Sequence, residues 1–402
     1  MQDVVVVFNS GSSSLKLTIY AFSGTRDPQV LLHGEIEEFP DYSQFTAKDA
    51  EGKLLAQERW QETGLYIFSH LFHWFEQYSG QGQVRAVGHR IVHGGAEFLQ
   101  PVKITLDTLK QLDKLTPFDP LHQAATLAPA KAIFEKRPDI LQVACFDTTF
   151  HQTIPEMARL LPLPRRYADR GIRRYGFHGI SYSYIAGQLA EVDPKLAQGR
   201  TIVAHLGSGA SLCALQAGKS LETTMGFSAL DGLMMGTRCG AIDPGALLYM
   251  VQSEKADWKT LVSTLYHQSG LLGVSGISSD MRILRATLAQ SQDAVQRKNI
   301  SEALGLFVYR IVQEIGALTA IMGGLDGIVF TAGIGEHDQN LRADVCEALA
   351  WMGVQIDEAA NAAHARVISG AGSKIKVCVI PTNEELQIYR SVLPFLDTEK
   401  YI

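Results

Sequence analysis

Val4-Val5-Val6-Val7-Phe8-Asn9-Ser10-Gly11-Ser12-Ser13-Ser14-Leu15-Lys16-Leu17-Thr18-Ile19-Tyr20 is the stretch whose reading decides the fold. The unbroken run Val4–Phe8 suits a strand buried on both faces, and Leu15–Tyr20 alternates at period two, as a half-buried strand does. A polar loop joins them. The same order returns after residue 200: Thr201–Leu206 as a strand, Gly207-Ser208-Gly209-Ala210-Ser211 as a small-residue loop, and Leu212–Gln216 as a second strand turning at Ala217-Gly218-Lys219. The two copies lie about 195 residues apart, too far for a solenoid repeat. They read as two related α/β halves facing each other across a cleft, with two unrelated strand–turn–strand units as the alternative.

Working outward, Val30–Ile36, Ala86–Val92, Gln142–Phe146, Gly327–Thr331 and Lys376–Ile380 are further strand candidates. Helical periodicity marks Gly64–Tyr78, Thr105–Leu115, Gly245–Ser253, Ala256–Ser269, Met281–Ala294 and Ile300–Met322. Pro381-Thr382-Asn383-Glu384-Glu385 starts a terminal helix, with a cap residue followed by acids in the first turn. The length of 402 residues suggests two or three domains. We expect an N-terminal domain over 1–150, a C-terminal nucleotide-binding domain over 151–384, and a last helix over about 385–402 packing back on the first.

Composition narrows the function classes. The chain is 46% hydrophobic, 19% charged and carries a net charge of −6, which argues against a disordered tail protein and against nucleic acid or an anionic membrane as partner. Five cysteines without a CxxC or zinc-finger spacing read as reduced thiols, hence a cytoplasmic protein. No apolar stretch is expected to reach the ~18 residues of a membrane helix. The 36 glycines are the unusual count, and they cluster.

Three small-residue loops each follow an apolar strand: Asn9–Ser14, Gly207–Ser211 and Ala332–Gly335. Glycine lets backbone approach a ligand closely, and runs of free N–H groups attract phosphate. Neither a Walker A motif nor a GxGxxG after the first strand is present, which argues against the P-loop and Rossmann readings. Arg90, within His89-Arg90-Ile91-Val92-His93-Gly94-Gly95, and Arg238, within Gly236-Thr237-Arg238-Cys239-Gly240, are arginines beside glycines, suited to forking onto a carboxylate or phosphate. Asn9, Asp147 and Glu384 follow strands and suit Mg²⁺, which takes one or two carboxylates plus substrate phosphates and waters. His122, His178 and His205 border constrained stretches, whereas the basic run Arg159–Arg174 reads as a solvated face or a neighbour to an anionic site.

Taken together, these segments resemble the acetate kinase family of acyl-phosphate-forming kinases, within the superfamily of sugar kinases, Hsp70 and actin. The matches include Asn9–Lys16, Gly88–Gly95, Phe146–His151, Arg173–Gly179, His205–Ser211, Gly232–Arg238, Thr331–Glu336 and Pro381–Leu386, in the family's order along nearly the whole chain. The resemblance implies an α/β fold of two duplicated ribonuclease-H-like domains flanking an active-site cleft. It also implies reversible transfer of the ATP γ-phosphoryl group to a short carboxylate with Mg²⁺ (or Mn²⁺), ADP as product, and a homodimer.

The resemblance assigns roles residue by residue. Arg90 and Arg238 would clamp the carboxylate and the phosphoryl group, His178 would donate to its oxygens, and Asp147 would position substrates or metal. Asn9 and Glu384 would organise Mg²⁺, with Ser12 and Lys16 by the phosphates. His205, Gly207, Ser208, Gly209, Asp280, Met281, Arg282, Gly333, Ile334, Gly335 and Glu336 would hold the nucleotide. Val92, Leu121, His122 and Ala229, with Arg90, would line the acyl pocket. The chemistry agrees: a carboxylate substrate is already anionic at neutral pH, so it needs no base, only cancellation of repulsion between two anions.

Several positions depart from the family's pattern. Ser208 stands for Asn, Ala241 for a polar residue, Ile180 and Tyr182 for Thr and His, and Ala229 for a pocket Pro. Ala229 leaves room for propionate without selecting it, since one methylene is worth only ~1–3 kcal/mol. The runner-up is therefore a propionate or other short-chain acyl kinase; a non-catalytic nucleotide binder and a chaperone or filament protein of the superfamily are more distant rivals.

Overall fold

The structure, a computed structural model, describes residues 3–10, 14–39, 41–61, 67, 70, 71, 74, 83–120 and 122–397. The chain forms two compact units: Met1–Thr149 with Asn383–Ile402, and Phe150–Thr382.

In the first unit, β1 (Val4–Ser10) pairs antiparallel with β2 (Ser14–Ala21), which is extended by β3 (Val30–Phe39), β4 (Tyr42–Lys48) and β5 (Leu54–Trp60). On its other side β1 pairs parallel with β6 (Val84–Ile91), and the short β7 (Val102–Lys103) and β8 (Leu141–Phe146) complete the sheet in the order β5-β4-β3-β2-β1-β6-β8-β7. The all-apolar run Val4–Phe8 is central and buried throughout, as its composition requires. Val4, Val6 and Phe8 join Leu17, Ile36, Phe45 and Ile133 in one core. The helix Glu384–Asp397 packs on β1, β6 and β8, with Ile388 and Val392 fully buried. Gly88 permits that approach: a Cβ there would lie 2.6 Å from Ile388 Cγ2 and 2.9 Å from Val392 Cγ2.

The second unit repeats the plan. β9 (Arg200–Leu206), β10 (Ala210–Gln216) and β11 (Lys219–Thr223) form an antiparallel meander. β12 (Gly327–Thr331) lies parallel beside β9 and β13 (Lys376–Val379) parallel beside β12, giving the order β11-β10-β9-β12-β13. The run β3-β2-β1-β6-β8 has the same order and the same antiparallel-then-parallel sense, so the repeated strand–loop–strand is a duplicated core rather than two unrelated turns.

Some boundaries differ from the sequence reading. β4 and β5 are not among the strand candidates: the inward residues of β4 are Ser43, Phe45 and Ala47, only one of them large and apolar, and the edge strand β5 exposes Leu54 and Leu55 and buries only Trp60. The stretch Ala256–Ser269 is a helix only over Trp258–His267, capped by Asp257, before a new helix Gly270–Ser275 begins. The long helix starts at Ala294, capped by Asp293, not at Ile300. Most of Gly64–Tyr78 lies outside the described residues.

The expectation that no stretch has membrane length needs correction: Ala294–Met322, 29 residues, is long and apolar enough by length and composition. Its buried residues Ile300, Ala303, Phe307, Ile311, Ile315, Leu318 and Met322 nevertheless recur at three- and four-residue steps, the stripe of a helix packed on one face. It packs on β9, β10 and the helices Gly270–Ser275, Met281–Gln290 and Gln339–Ala348.

Candidate active site

The first unit gathers its charged groups at the carboxyl ends of β1, β6 and β8. Arg90, near the end of β6, directs Nε at both Asp147 carboxylate oxygens (3.3 and 3.1 Å) and Nη2 at Asp147 Oδ2 (2.7 Å). Its Nη1 donates to the Ser10 carbonyl at 3.1 Å and Asn9 Oδ1 at 3.4 Å. The Asn9 amide in turn donates to Glu384 Oε2 (3.0 Å) and Glu385 Oε1 (2.9 Å) in the first turn of the terminal helix. The unit boundary at Thr382–Asn383 thus places Glu384 with Asn9, not with residues 151–384.

Asp147 is 1% exposed and Arg90 16%, so this is a largely desolvated pair with one open edge. Burial opposes the Arg90 charge, but the Asp147, Glu384 and Glu385 carboxylates outweigh it and hold the guanidinium firmly protonated. Burial pushes the Glu384 carboxyl above the ordinary carboxylate range, against the pull of Arg90 and with Asp147 and Glu385 adding repulsion.

Among the described residues no group of three or more His, Cys, Asp or Glu is arranged as a metal cage. The donor set here is nonetheless hard: amide and carboxylate oxygens from Asn9, Glu384, Glu385 and Asp147, with three carboxylates to one guanidinium. That excess of oxygen charge fits Mg²⁺ or Mn²⁺, which needs one or two such ligands and fills the rest with phosphate and water.

In the second unit His178 stands before the helix Gly179–Val192 with φ 57°, a left-handed conformation uncommon outside glycine. Its ring stacks on His205 of β9, centroids 4.2 Å apart. Ser211 of β10 lies 2.8 Å from His178 Nδ1 and 2.5 Å from the Tyr182 hydroxyl. His205 Nδ1 lies 2.9 Å from Ser181 Oγ, itself 2.8 Å from Thr382 Oγ1. A Cβ on Gly209 would sit 3.3 Å from His178 Nε2 and 3.9 Å from Arg238 Nη1, so glycine keeps open the space that histidine and arginine share. Arg238 Nη1 donates to the Ala229 carbonyl at 2.9 Å.

A cavity of about 860 Å³ opens beside this cluster, lined by residues of three segments: Gly207–Ser208, Ser279–Arg285 and Gly333–Asn340, with Ala362 and His364. Its size and polar rim suit a nucleotide.

Comparison with known proteins identifies the family. The Acetokinase family matches residues 4–390. The acetate kinase of Rhodopseudomonas palustris (strain TIE-1) is 44% identical, covering 99% of each chain. The chain belongs to the acetokinase family. The crystal structure of Porphyromonas gingivalis acetate kinase superposes with TM-score 0.86 at 33% identity, over 98% of this chain and 100% of that one. A propionate kinase from Francisella tularensis superposes with TM-score 0.89 at 32% identity, over 97% and 98%. The duplicated α/β fold is that of these acetokinase-family neighbours.

In this acetokinase-family chain, Gly207, Ser208, Asp280, Met281, Arg282, Gly333 and Ile334 line the cavity. Gly209, His205, Gly335 and Glu336 do not. Gly335 is buried beneath it, and Glu336 Oε1 instead accepts from the Thr382 N–H at 3.1 Å. Arg282 is forked onto Asp280 (3.1 and 2.6 Å), which also caps its helix. Lys16 faces Asn9 across the β1–β2 ladder with an exposed side chain. Val92 and Ala229 are buried, and His122 Nδ1 lies 2.9 Å from Asp119. Ser12 and Leu121 lie outside the described residues.

The basic run is not a plain solvated face. Arg159 donates to the Ile154 and Gln152 carbonyls, and Arg174 to the Thr223 carbonyl at 2.8 Å, stapling loops around His178. Sequence reasoning missed Ser181 and Arg342, and it reached Ser211 only as part of the second small-residue loop, not as the partner of His178.

Proposed function

We propose that the chain catalyses reversible transfer of the ATP γ-phosphoryl group to acetate, forming acetyl phosphate and ADP. An acetate oxygen attacks the γ-phosphorus as the bond to the β,γ-bridging oxygen breaks, so no proton has to move. What the reaction needs is positive charge held in place, and the Arg90–Asp147 fork is the observation that carries the reading.

Arg90 and Arg238 grip the carboxylate and the transferring group. Each is oriented by its own partner: Asp147 for Arg90, the Ala229 carbonyl for Arg238. His178, aligned by Ser211, donates to a phosphoryl oxygen. Asn9 and Glu384 would hold Mg²⁺, which neutralises phosphate charge when bound. Val92 and Ala229 border the acyl group, and the smaller Ala229 makes propionate the second reading.

Assembly as a homodimer is supported by the exposed apolar residues Leu248, Tyr249, Trp258 and Tyr309 of the second unit, 62–73% accessible. Sedimentation velocity reads it directly. Five free cysteines, four of them buried, suit a cytoplasmic enzyme. Coupled assays with acetate, propionate and butyrate, with hydroxylamine trapping of the acyl phosphate, test the function. Absence of a Mg²⁺-dependent product from all three acids would overturn it, and a higher kcat/KM for propionate than acetate would favour the second reading.

A further inference from the structure

Two histidines line the 860 Å³ cavity without a role in the account above, and their hydrogen bonds give them opposite tautomers. His337, the last residue of the helix Ala332–His337, has Nδ1 3.0 Å from the Gly333 carbonyl. A carbonyl only accepts, so Nδ1 carries the proton and the neutral ring keeps its lone pair on Nε2. His364 has Nδ1 2.9 Å from Arg342 Nη2. A guanidinium only donates, so here Nδ1 holds the lone pair and Nε2 carries the proton. One ring offers the cavity an acceptor and the other a donor, with centroids 6.3 Å apart.

Arg342 sets both. It is fully buried, and its other donors go to Asn361 Oδ1 (2.8 Å), the Asn361 carbonyl (2.9 Å), and the Gly335 and Glu336 carbonyls (2.9 and 2.8 Å). The guanidinium that fixes the His364 tautomer therefore also pins the turn that carries His337. His364 itself has φ 51°, one of five non-glycine residues in the left-handed region among the described residues; His178 is another. Both residues are exposed, and both line the cavity.

We propose that His337 and His364 read the nucleobase, selecting a 6-aminopurine over a 6-oxopurine. This rests on the reading of the cavity as the nucleotide site. Adenine presents an acceptor, N7, beside a donor, the N6 amino group; a 6-oxopurine presents two acceptors there. His364 Nε2–H donates to the ring nitrogen and His337 Nε2 accepts from the amino group. A 6-oxo group would set its lone pairs against that of His337. Arg342 is the positioning residue behind the pair.

The test compares MgATP with MgITP, which differ at the 6-position. Loss of one such contact at an open site predicts an ATP preference of about tenfold in kcat/KM. In His337→Leu and His364→Leu the preference should shrink to about twofold, through KM for ATP with KM for acetate unchanged. His364→Gln, which keeps an N–H donor, should recover most of it. Equal use of ITP by the wild type, or an unchanged preference in both leucine variants, overturns the proposal. Calorimetric affinities for ADP and IDP should show the same ratio without turnover. If no nucleotide supports acyl phosphate formation, the kinase reading falls while the ADP/IDP ratio still decides this one.

Discussion

The hydroxyl of Tyr182 lies 2.5 Å from that of Ser211, which is itself 2.8 Å from His178 Nδ1. Every proton in this buried row is satisfied if the phenol donates to the serine and the serine donates to the imidazole. The reverse order would leave a buried phenolic O–H without an acceptor among the described contacts, at a cost of ~1–3 kcal/mol. His178 is therefore held with its proton on Nε2, the ring nitrogen beside Gly209. Tyr182→Phe frees the tautomer. We expect kcat to fall about tenfold with KM for ATP within about twofold. Steady-state kinetics check it, and an unchanged kcat would remove Tyr182 from the account.

Arg90 uses Nε and Nη2 on one carboxylate and Nη1 on the β1 backbone. Lysine has a single ammonium and cannot reproduce that fork. Both Arg90→Ala and Arg90→Lys should lower kcat by ~10³ or more. Circular dichroism spectra matching wild type would separate lost chemistry from lost folding, and substantial turnover by the lysine variant would show that charge alone suffices.

Gly88 is a test of packing rather than charge. Its added methyl would meet Ile388 and Val392, whose Cγ2 atoms are fixed to branched Cβ carbons and cannot swing away. Gly88→Ala should destabilise by about 1–3 kcal/mol, read as a lower urea midpoint. Because the displaced helix carries Glu384, the apparent Mg²⁺ requirement should rise as well. A variant as stable as the wild type would mean that the helix yields easily.

Histidines 89, 93 and 151 are buried and neutral, burial pushing each down to about 4. In the unfolded chain they titrate near 6.5. Between those values the unfolded state binds more protons, so their contribution to stability is full above pH ~6.5 and is lost as pH falls toward ~4. Urea midpoints measured across that window should fall steadily toward acid, with proton uptake on unfolding. No uptake near pH ~5 would mean that these rings are already charged in the folded state.

Much of this was legible because the informative residues sit where periodicity breaks. Val4–Phe8 had to be a central strand, and whatever followed it had to be a loop at the sheet's carboxyl edge; Asn9, Arg90 and Asp147 each stand at such an edge. Glu384 was readable as the acid after a cap, though its partner Glu385 was not singled out. Arg342 was invisible for a physical reason. It is a lone arginine within a short helix, and its partners Asn361 and His364 come about 20 residues later, through a connection with no pattern of its own. The arginines at 159 and 174 look solvated in sequence because their acceptors are carbonyls, which every residue has.

The return of the last helix to the first unit fixes an order of events during synthesis. Residues 150–382 leave the ribosome as one continuous stretch, whereas the first unit waits for Asn383 onward. Until then one face of β1, β6 and β8 lacks Ile388 and Val392, and Arg90 and Asn9 lack Glu384. The unit that contains Val4 is thus completed only after the second, and a chain truncated before Asn383 lacks Glu384, one of the acids proposed to hold its metal.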